Sequence, residues 1–158
     1  MSEQTDPETL KHWHRTFAMQ CNNIAWDLAA RETRTPVDDH HMLSAAFASA
    51  YHWAQLKSPL NDARADVTVA HVLALLNQGP LALEYARRCL AFFESQGGED
   101  WDLAFAHAEL SHAAAKCGDH TLHSYHYARA RELGEAIQEA DDRQVFLEEF
   151  ARIPRIVA

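Results

Sequence analysis

Apolar residues recur at helical spacing along most of the chain. Residues three, four or seven apart share one face of an α-helix. In the first segment such a face comprises Leu10, Phe17, Ile24 and Leu28. From Val67 to Leu76 the chain is apolar nearly all round, except at Thr68 and His71, which predicts a central helix that is packed on both sides. No Val/Ile/Thr-rich run alternates as a strand does, so the pattern predicts an all-α protein.

Turn and capping residues divide this pattern into about seven helices. A helix start is indicated by a capping side chain followed by proline or glutamate, and a helix end by glycine. The expected breaks fall at Asp6-Pro7, Thr35-Pro36, Ser58-Pro59, Gly79-Pro80, Gly97-Gly98, Gly118-Asp119 and Asp141-Asp142. We expect the sixth helix to run to about Ile137, with Gly134 as an alternative end, and a short seventh helix to end before Pro154.

Two consecutive helical hairpins carry matching residues at regular distances. His71 and His107 are 36 residues apart, and the turn glycines Gly79 and Gly118 are 39 apart. Tyr85 and Tyr127, in the returning helices, are 42 apart. The increments of three are close to one helical turn of about 3.6 residues, which keeps the phase. The sequence therefore predicts a repeat of hairpins within one domain that spans residues 1–158.

Several short runs resemble the tetratricopeptide repeat in a divergent form. The matching residues are Asn23-Ile24-Ala25, Leu110-Ser111, Gly118-Asp119, Tyr127 and Ala130. The chain departs from the family at His107, where the family often has Trp. The resemblance implies three antiparallel hairpins, stacked as a right-handed superhelix, with the seventh helix as a C-terminal cap.

The same resemblance implies a concave groove on the first helix of each pair, which in that family binds peptides or partner helices. The positions that it places on the groove are Asn22, Trp26, Leu73, Asn77, Phe105, His112 and Lys116. We therefore expect a non-enzymatic scaffold whose partner is a protein or peptide. The oligomeric state stays open.

Charge and cysteine content narrow the classes of partner and compartment. The formal net charge of −9 argues against nucleic acid, because phosphate binding needs a basic surface. Acidic residues are densest between Glu132 and Glu149, which indicates either a solvated face or a docking surface for a basic partner. We expect three buried, reduced cysteines, no signal peptide in residues 2–6 and no membrane span, and hence a cytoplasmic protein.

Eleven histidines raise the question of a metal site. One weak candidate combines Asp119, His120 and His123, although these residues also fit a solvated helix face. His71 and His107 are expected to point inward as neutral imidazoles that bond to backbone carbonyls or acidic neighbours. Alternatively, they meet Glu109 or Asp102 around a polar cavity that binds a metal ion or small ligand, which would allow a metal-dependent enzyme.

No catalytic motif is present in the sequence. A nucleophile elbow, a phosphate-binding loop, an HExxH run and a dinucleotide fingerprint are all missing, and these are the local patterns that carry such chemistry. The sequence therefore predicts no catalytic residue and no cofactor.

Overall fold

The computed structural model describes residues 6–156 and is built from α-helices, with no strand in that range. The seven helices are α1 Pro7–Ala29, α2 Pro36–Gln55, α3 Pro59–Leu75, α4 Gly79–Gln96, α5 Asp100–Cys117, α6 His120–Glu135 and α7 Ala140–Phe150. The predicted all-α class and helix number are confirmed. None of the described helices is long and apolar enough to cross a membrane. Residues 2–5, on which the expected lack of a signal peptide rests, lie outside the described range.

The predicted helix starts are set by side chains that accept hydrogen bonds from free backbone amides. Asp6 accepts from the Thr9 amide at 3.0 Å, and Thr35 forms a reciprocal capping box with Asp38. At the turn between α5 and α6, Gly118 adopts a left-handed φ of 73° and Asp119 caps the next helix. Residues with φ in this region are usually glycine, so this turn follows directly from the sequence.

The helices form two layers. Each helix packs against the next one along the chain, and α3 also contacts α1 and α5, while α5 also contacts α7. The even-numbered helices α2, α4 and α6 make no comparable contact with one another. The odd-numbered helices therefore form an inner layer and the even-numbered helices an outer one, which is the arrangement expected of successive hairpins.

The two central helices, α3 and α5, are buried on almost every side. Eleven of the 17 residues of α3 are buried, and eleven of the 18 in α5. The expectation that α3 is the most buried helix is confirmed by a narrow margin. Alanines at Ala70, Ala74, Ala106 and Ala113 are fully buried and let neighbouring helices approach closely.

The last helix covers the end of the stack through two aromatic side chains. Phe146 and Phe150 pack with Ile137 and Ala130 in a cluster between α5, α6 and α7. The sixth helix ends at Glu135, between its two expected ends at Gly134 and Ile137, so Gly134 lies in its last turn. A Cβ atom at this position would overlap the ring of Phe146, and the glycine allows that close approach.

The cysteines differ in their exposure. All three thiols are free, with Cys89 buried, Cys21 half-buried and Cys117 exposed. The expectation of three buried thiols is confirmed only for Cys89, since Cys21 is half-buried and Cys117, the last residue of α5, is exposed.

Gly134→Ala tests the packing of α7 on α6. In an ordinary helix this change stabilises by about 1 kcal/mol, but the contact with Phe146 should make it destabilising by about 1–3 kcal/mol. Chemical unfolding of the purified variant measures the difference. Glu135→Ala, at the exposed neighbouring position, should change stability by no more than about 0.5 kcal/mol. A Gly134→Ala protein more stable than the parent would contradict the proposed reason for the glycine.

A buried carboxylate on α3 should make stability depend on pH. Asp66 is 8% exposed, and Arg88 of α4 lies 3.1 Å away. Burial raises the pKa of Asp66 to about 6, an effect that the charge of Arg88 only partly offsets. Because the folded state holds this proton more tightly than the unfolded state, the contribution to stability is present below about pH 4 and is lost as the pH rises through about 6.

Asp66→Asn removes this titration. The unfolding free energy of the parent should fall relative to that of the variant by about 1–3 kcal/mol between pH 4 and pH 7, as measured by urea unfolding across that range. Asp141→Asn, at an exposed position, should follow the parent curve. A constant difference between Asp66→Asn and the parent would show that Asp66 does not titrate in this window.

Candidate functional site

A cavity of about 630 Å³ opens between the odd-numbered helices; we call it the inner cavity. Its walls come mainly from α1, α3, α5 and α7, with Trp53 contributed by α2. The cavity is lined by Met19, Asn22, Asn23, Trp26, Asp27, Ala30, Trp53, Asn61, Arg64, Ala65, Val67, Thr68, Trp101, Asp102, Phe105, Asp142, Val145 and Glu149. A volume between about 300 and 1,000 Å³ is typical of ligand sites.

Hydrogen bonds fix the orientation of the aromatic residue in the middle of the cavity wall. The Trp26 indole Nε1 donates to the Thr68 hydroxyl at 3.1 Å, and that hydroxyl donates to the Asn22 side-chain oxygen at 2.8 Å. The two bonds join α1 to α3. Trp26 is therefore held in one position, and the Asn22 oxygen is already occupied.

A second polar contact joins α3 to α5 at the other wall. The Arg64 guanidinium donates two hydrogen bonds to Asp102, at 2.9 and 2.8 Å, and lies 4.5 Å from the ring centre of Trp101. Asp102 is only 1% exposed and also accepts from the backbone amide of Glu99. Because Arg64 and Asp102 neutralise each other, this wall has little net charge.

Behind Trp26 lies a buried group of three polar side chains, His71, Glu109 and His112, which we call the histidine cluster. The Trp26 ring stacks on His71 with 4.3 Å between ring centres. His71 Nδ1 lies 3.0 Å from Glu109 Oε1, and His112 Nδ1 lies 3.8 Å from Glu109 Oε2. The first distance is that of a hydrogen bond, whereas the second is too long for one.

Charge interactions within the cluster shift the pKa values of its members. Burial alone raises the pKa of Glu109, but the charge of His71 and hydrogen bonding outweigh it and lower the pKa to about 2. The pKa of His71 is raised, because the charge of Glu109 outweighs the opposite effect of burial. His71 is buried and bonded to an acidic neighbour as expected, and the raised pKa runs against the expected neutral state.

His107 does not join this cluster. It is buried as expected, but its partner is another imidazole, His126 of α6, with 2.8 Å between their Nδ1 atoms. The expected bond to a carbonyl or an acid was therefore wrong. Burial lowers the pKa of both histidines, so both are neutral near pH 7 and one donates to the other. The alternative in which His71 and His107 share one polar cavity is not what the structure shows.

The residues predicted to line a groove fall into four groups. Asn22, Trp26 and Phe105 line the inner cavity, whereas His112 belongs to the histidine cluster. Lys116 donates to Asn77 at 3.0 Å, which bridges the C-terminal ends of α5 and α3 away from the cavity. Leu73 is 2% exposed and packs in the apolar core. It lies two residues after His71, about 200° around the helix, and packs in that core with residues of α1, α2, α4 and α5 rather than on the cavity.

The residues of the weak metal candidate at the start of α6 do not come together. Asp119 caps α6 through the Leu122 amide, and His120 is exposed. His123 is buried and donates from Nδ1 to the Ser111 carbonyl at 2.9 Å. Within residues 6–156, the histidine cluster is the only group of three His, Cys, Asp or Glu side chains whose ligand atoms lie within 4.8 Å of one another.

Sequence reasoning missed most of the residues on the α3 and α7 walls. Asn61, Arg64 and Thr68 recur at intervals of three and four residues, which places them on one polar stripe of α3. That stripe was a usable signal for the α3 wall. Asp142, Val145 and Glu149 lie on α7 and reach the cavity only because this helix folds back over α5, which the sequence pattern does not specify.

Comparison with known proteins gives no family for this chain. No protein-family model, no curated protein and no solved structure matches it. The comparisons thus lend no support to the resemblance to tetratricopeptide repeats, and the fold is shown as an all-helical arrangement of seven helices whose consecutive members pack together.

Proposed function

We propose that the protein is a non-enzymatic binding module that takes an extended peptide segment of a partner protein in the inner cavity. The observation that carries this proposal is the cavity itself, whose walls combine aromatic rings with side-chain amides on four packed helices. The chemistry of its walls defines what kind of segment fits.

Aromatic side chains offer contacts for an apolar residue of the peptide. Trp53 of α2 and Trp101 and Phe105 of α5 line the cavity, and residues of this kind dominate the affinity of many interfaces. Trp26 is held by the Thr68 hydroxyl, so it needs no ordering when a ligand binds. A preorganised wall reduces the entropy lost on binding.

Acidic side chains favour a peptide that also carries Lys or Arg. Asp27 and Asp142 line the cavity, are exposed and form no ion pair within residues 6–156. The only basic residue of the lining, Arg64, is neutralised by Asp102. The acidic segment noted in the sequence therefore supplies part of the cavity wall through Asp142 and Glu149.

Trp53→Ala tests the apolar contact. The probe is a library of short fluorescein-labelled peptides with a central Leu or Phe and flanking Lys or Arg, measured by fluorescence anisotropy. The change should weaken binding of the selected peptides by about 10-fold or more, without lowering the melting temperature, because Trp53 belongs to none of the buried core clusters. Tyr125→Ala, an exposed aromatic on α6 outside the cavity, should bind like the parent. Equal affinity of Trp53→Ala and the parent would place the binding surface elsewhere.

The double change Asp27→Asn with Asp142→Asn tests the charge contribution. Binding of the basic peptides should weaken by about 2–10-fold at low salt, and the difference should shrink at high salt, because exposed charges are screened. The matched control, Glu32→Gln with Asp141→Asn, removes two nearby exposed charges that do not line the cavity. If peptides flanked by Glu bind as well as basic ones, or if only uncharged small molecules bind, the proposed chemistry of the occupant is wrong.

A further inference from the structure

The histidine cluster brings three metal-binding side chains together in the interior. His71 of α3 and Glu109 and His112 of α5 are 3%, 2% and 2% exposed. Glu109 and His112 are three residues apart on one helix, so they share a face, and that face meets His71 because α3 packs against α5. The fold therefore presents two imidazoles and one carboxylate to the same small volume.

The cluster does not satisfy its own polar atoms. Three buried atoms have no hydrogen-bond partner within the described chain, namely Glu109 Oε2, His112 Nδ1 and His71 Nε2. Buried polar groups almost always have a partner, and an exception calls for an explanation such as an ion or ordered water. The His107–His126 pair, 5% and 8% exposed, has no buried side-chain atom without a partner.

The distances fit a metal ion with short bonds. Tetrahedral zinc, with bonds of about 2.0–2.2 Å to imidazole nitrogen and carboxylate oxygen, places neighbouring ligand atoms about 3.3 Å apart. In the cluster His71 Nδ1 lies 3.0 Å from Glu109 Oε1 and His112 Nδ1 lies 3.8 Å from Glu109 Oε2. The two imidazoles therefore face different oxygens of one carboxylate, at separations on either side of that value. All three ligand atoms lie within 4.8 Å of one another. Side-chain movements of about an ångström therefore bring them to the spacing of a tetrahedral zinc site.

We propose that the histidine cluster is a site for a divalent transition-metal ion, with zinc as the ion that it binds in preference to magnesium or calcium. Two imidazoles and one carboxylate are a donor set that zinc accepts with a fourth position left open, whereas magnesium and calcium require mainly oxygen ligands. Trp26 stacks on His71 and shields this side of the site from the inner cavity. The site does not depend on peptide binding in that cavity, because none of its three ligands lines the cavity.

The first test measures zinc in protein purified without a histidine tag. Mass spectrometry of metals should find about one zinc per chain, and the chelator-treated protein should take up one equivalent of added Zn²⁺ with a Kd of about 1 μM or tighter. Cobalt added in place of zinc should give the intense visible absorption of a tetrahedral complex. Uptake of zinc that is weak and exceeds one equivalent, with the pale spectrum of octahedral cobalt, would show binding by surface histidines only and would overturn the proposal.

Variants locate the ion. Glu109→Gln and His112→Asn should each weaken zinc binding by at least about 10-fold and abolish the tetrahedral cobalt spectrum, while circular dichroism confirms that the helices are retained. The matched control is His52→Asn, which removes a half-buried histidine whose Nδ1 lies 2.8 Å from His14 Nδ1 on α1. Loss of zinc in this control with retention in both cluster variants would move the site to α1 and α2. Should a cluster variant unfold, the cobalt spectrum of the unchanged protein still decides whether a tetrahedral site exists.

Discussion

The arrangement of the helices depends on one constraint: a polar side chain buried on α3 or α5 needs a hydrogen-bond partner, and that partner must come from a neighbouring helix. Burying a polar group without a hydrogen bond is destabilising. The partners found are Arg88 for Asp66, Asn22 and Trp26 for Thr68, Arg64 for Asp102 and His126 for His107. These contacts fix the register of α3 and α5 against α1, α4 and α6, because each pair forms in only one relative position of its helices.

The sequence predicts the helices well because their signals are local. Caps such as Thr35 with Asp38, and stops such as Gly118, act within one turn of the residue that provides them, so neighbours in sequence suffice. The apolar run of α3 likewise predicts its central place. Gly134 shows the limit of such signals, because the reason for that glycine is the ring of Phe146 on another helix.

The candidate site is less predictable because it depends on the angle at which helices meet. The inward direction of His71 and His107 follows from helical phase, but their different partners, Glu109 and His126, depend on which neighbour each face touches. Leu73 was assigned to the groove by analogy, although helical phase alone turns it away from His71. One face of α5 carries Phe105, Glu109 and His112. Phe105 lines the inner cavity, whereas Glu109 and His112 belong to the buried histidine cluster.

The packing of α7 gives the inner cavity a wall with its own conformational equilibrium. This helix is the shortest of the seven, with 11 residues, and it contacts only α5 and α6. Its detachment breaks fewer interactions than the unfolding of the whole stack, and elements of this kind open locally at a lower free energy than the global transition. A ligand that touches both α1 and α7 binds only while α7 is packed on α5 and α6, so its apparent affinity includes the free energy of keeping α7 in place.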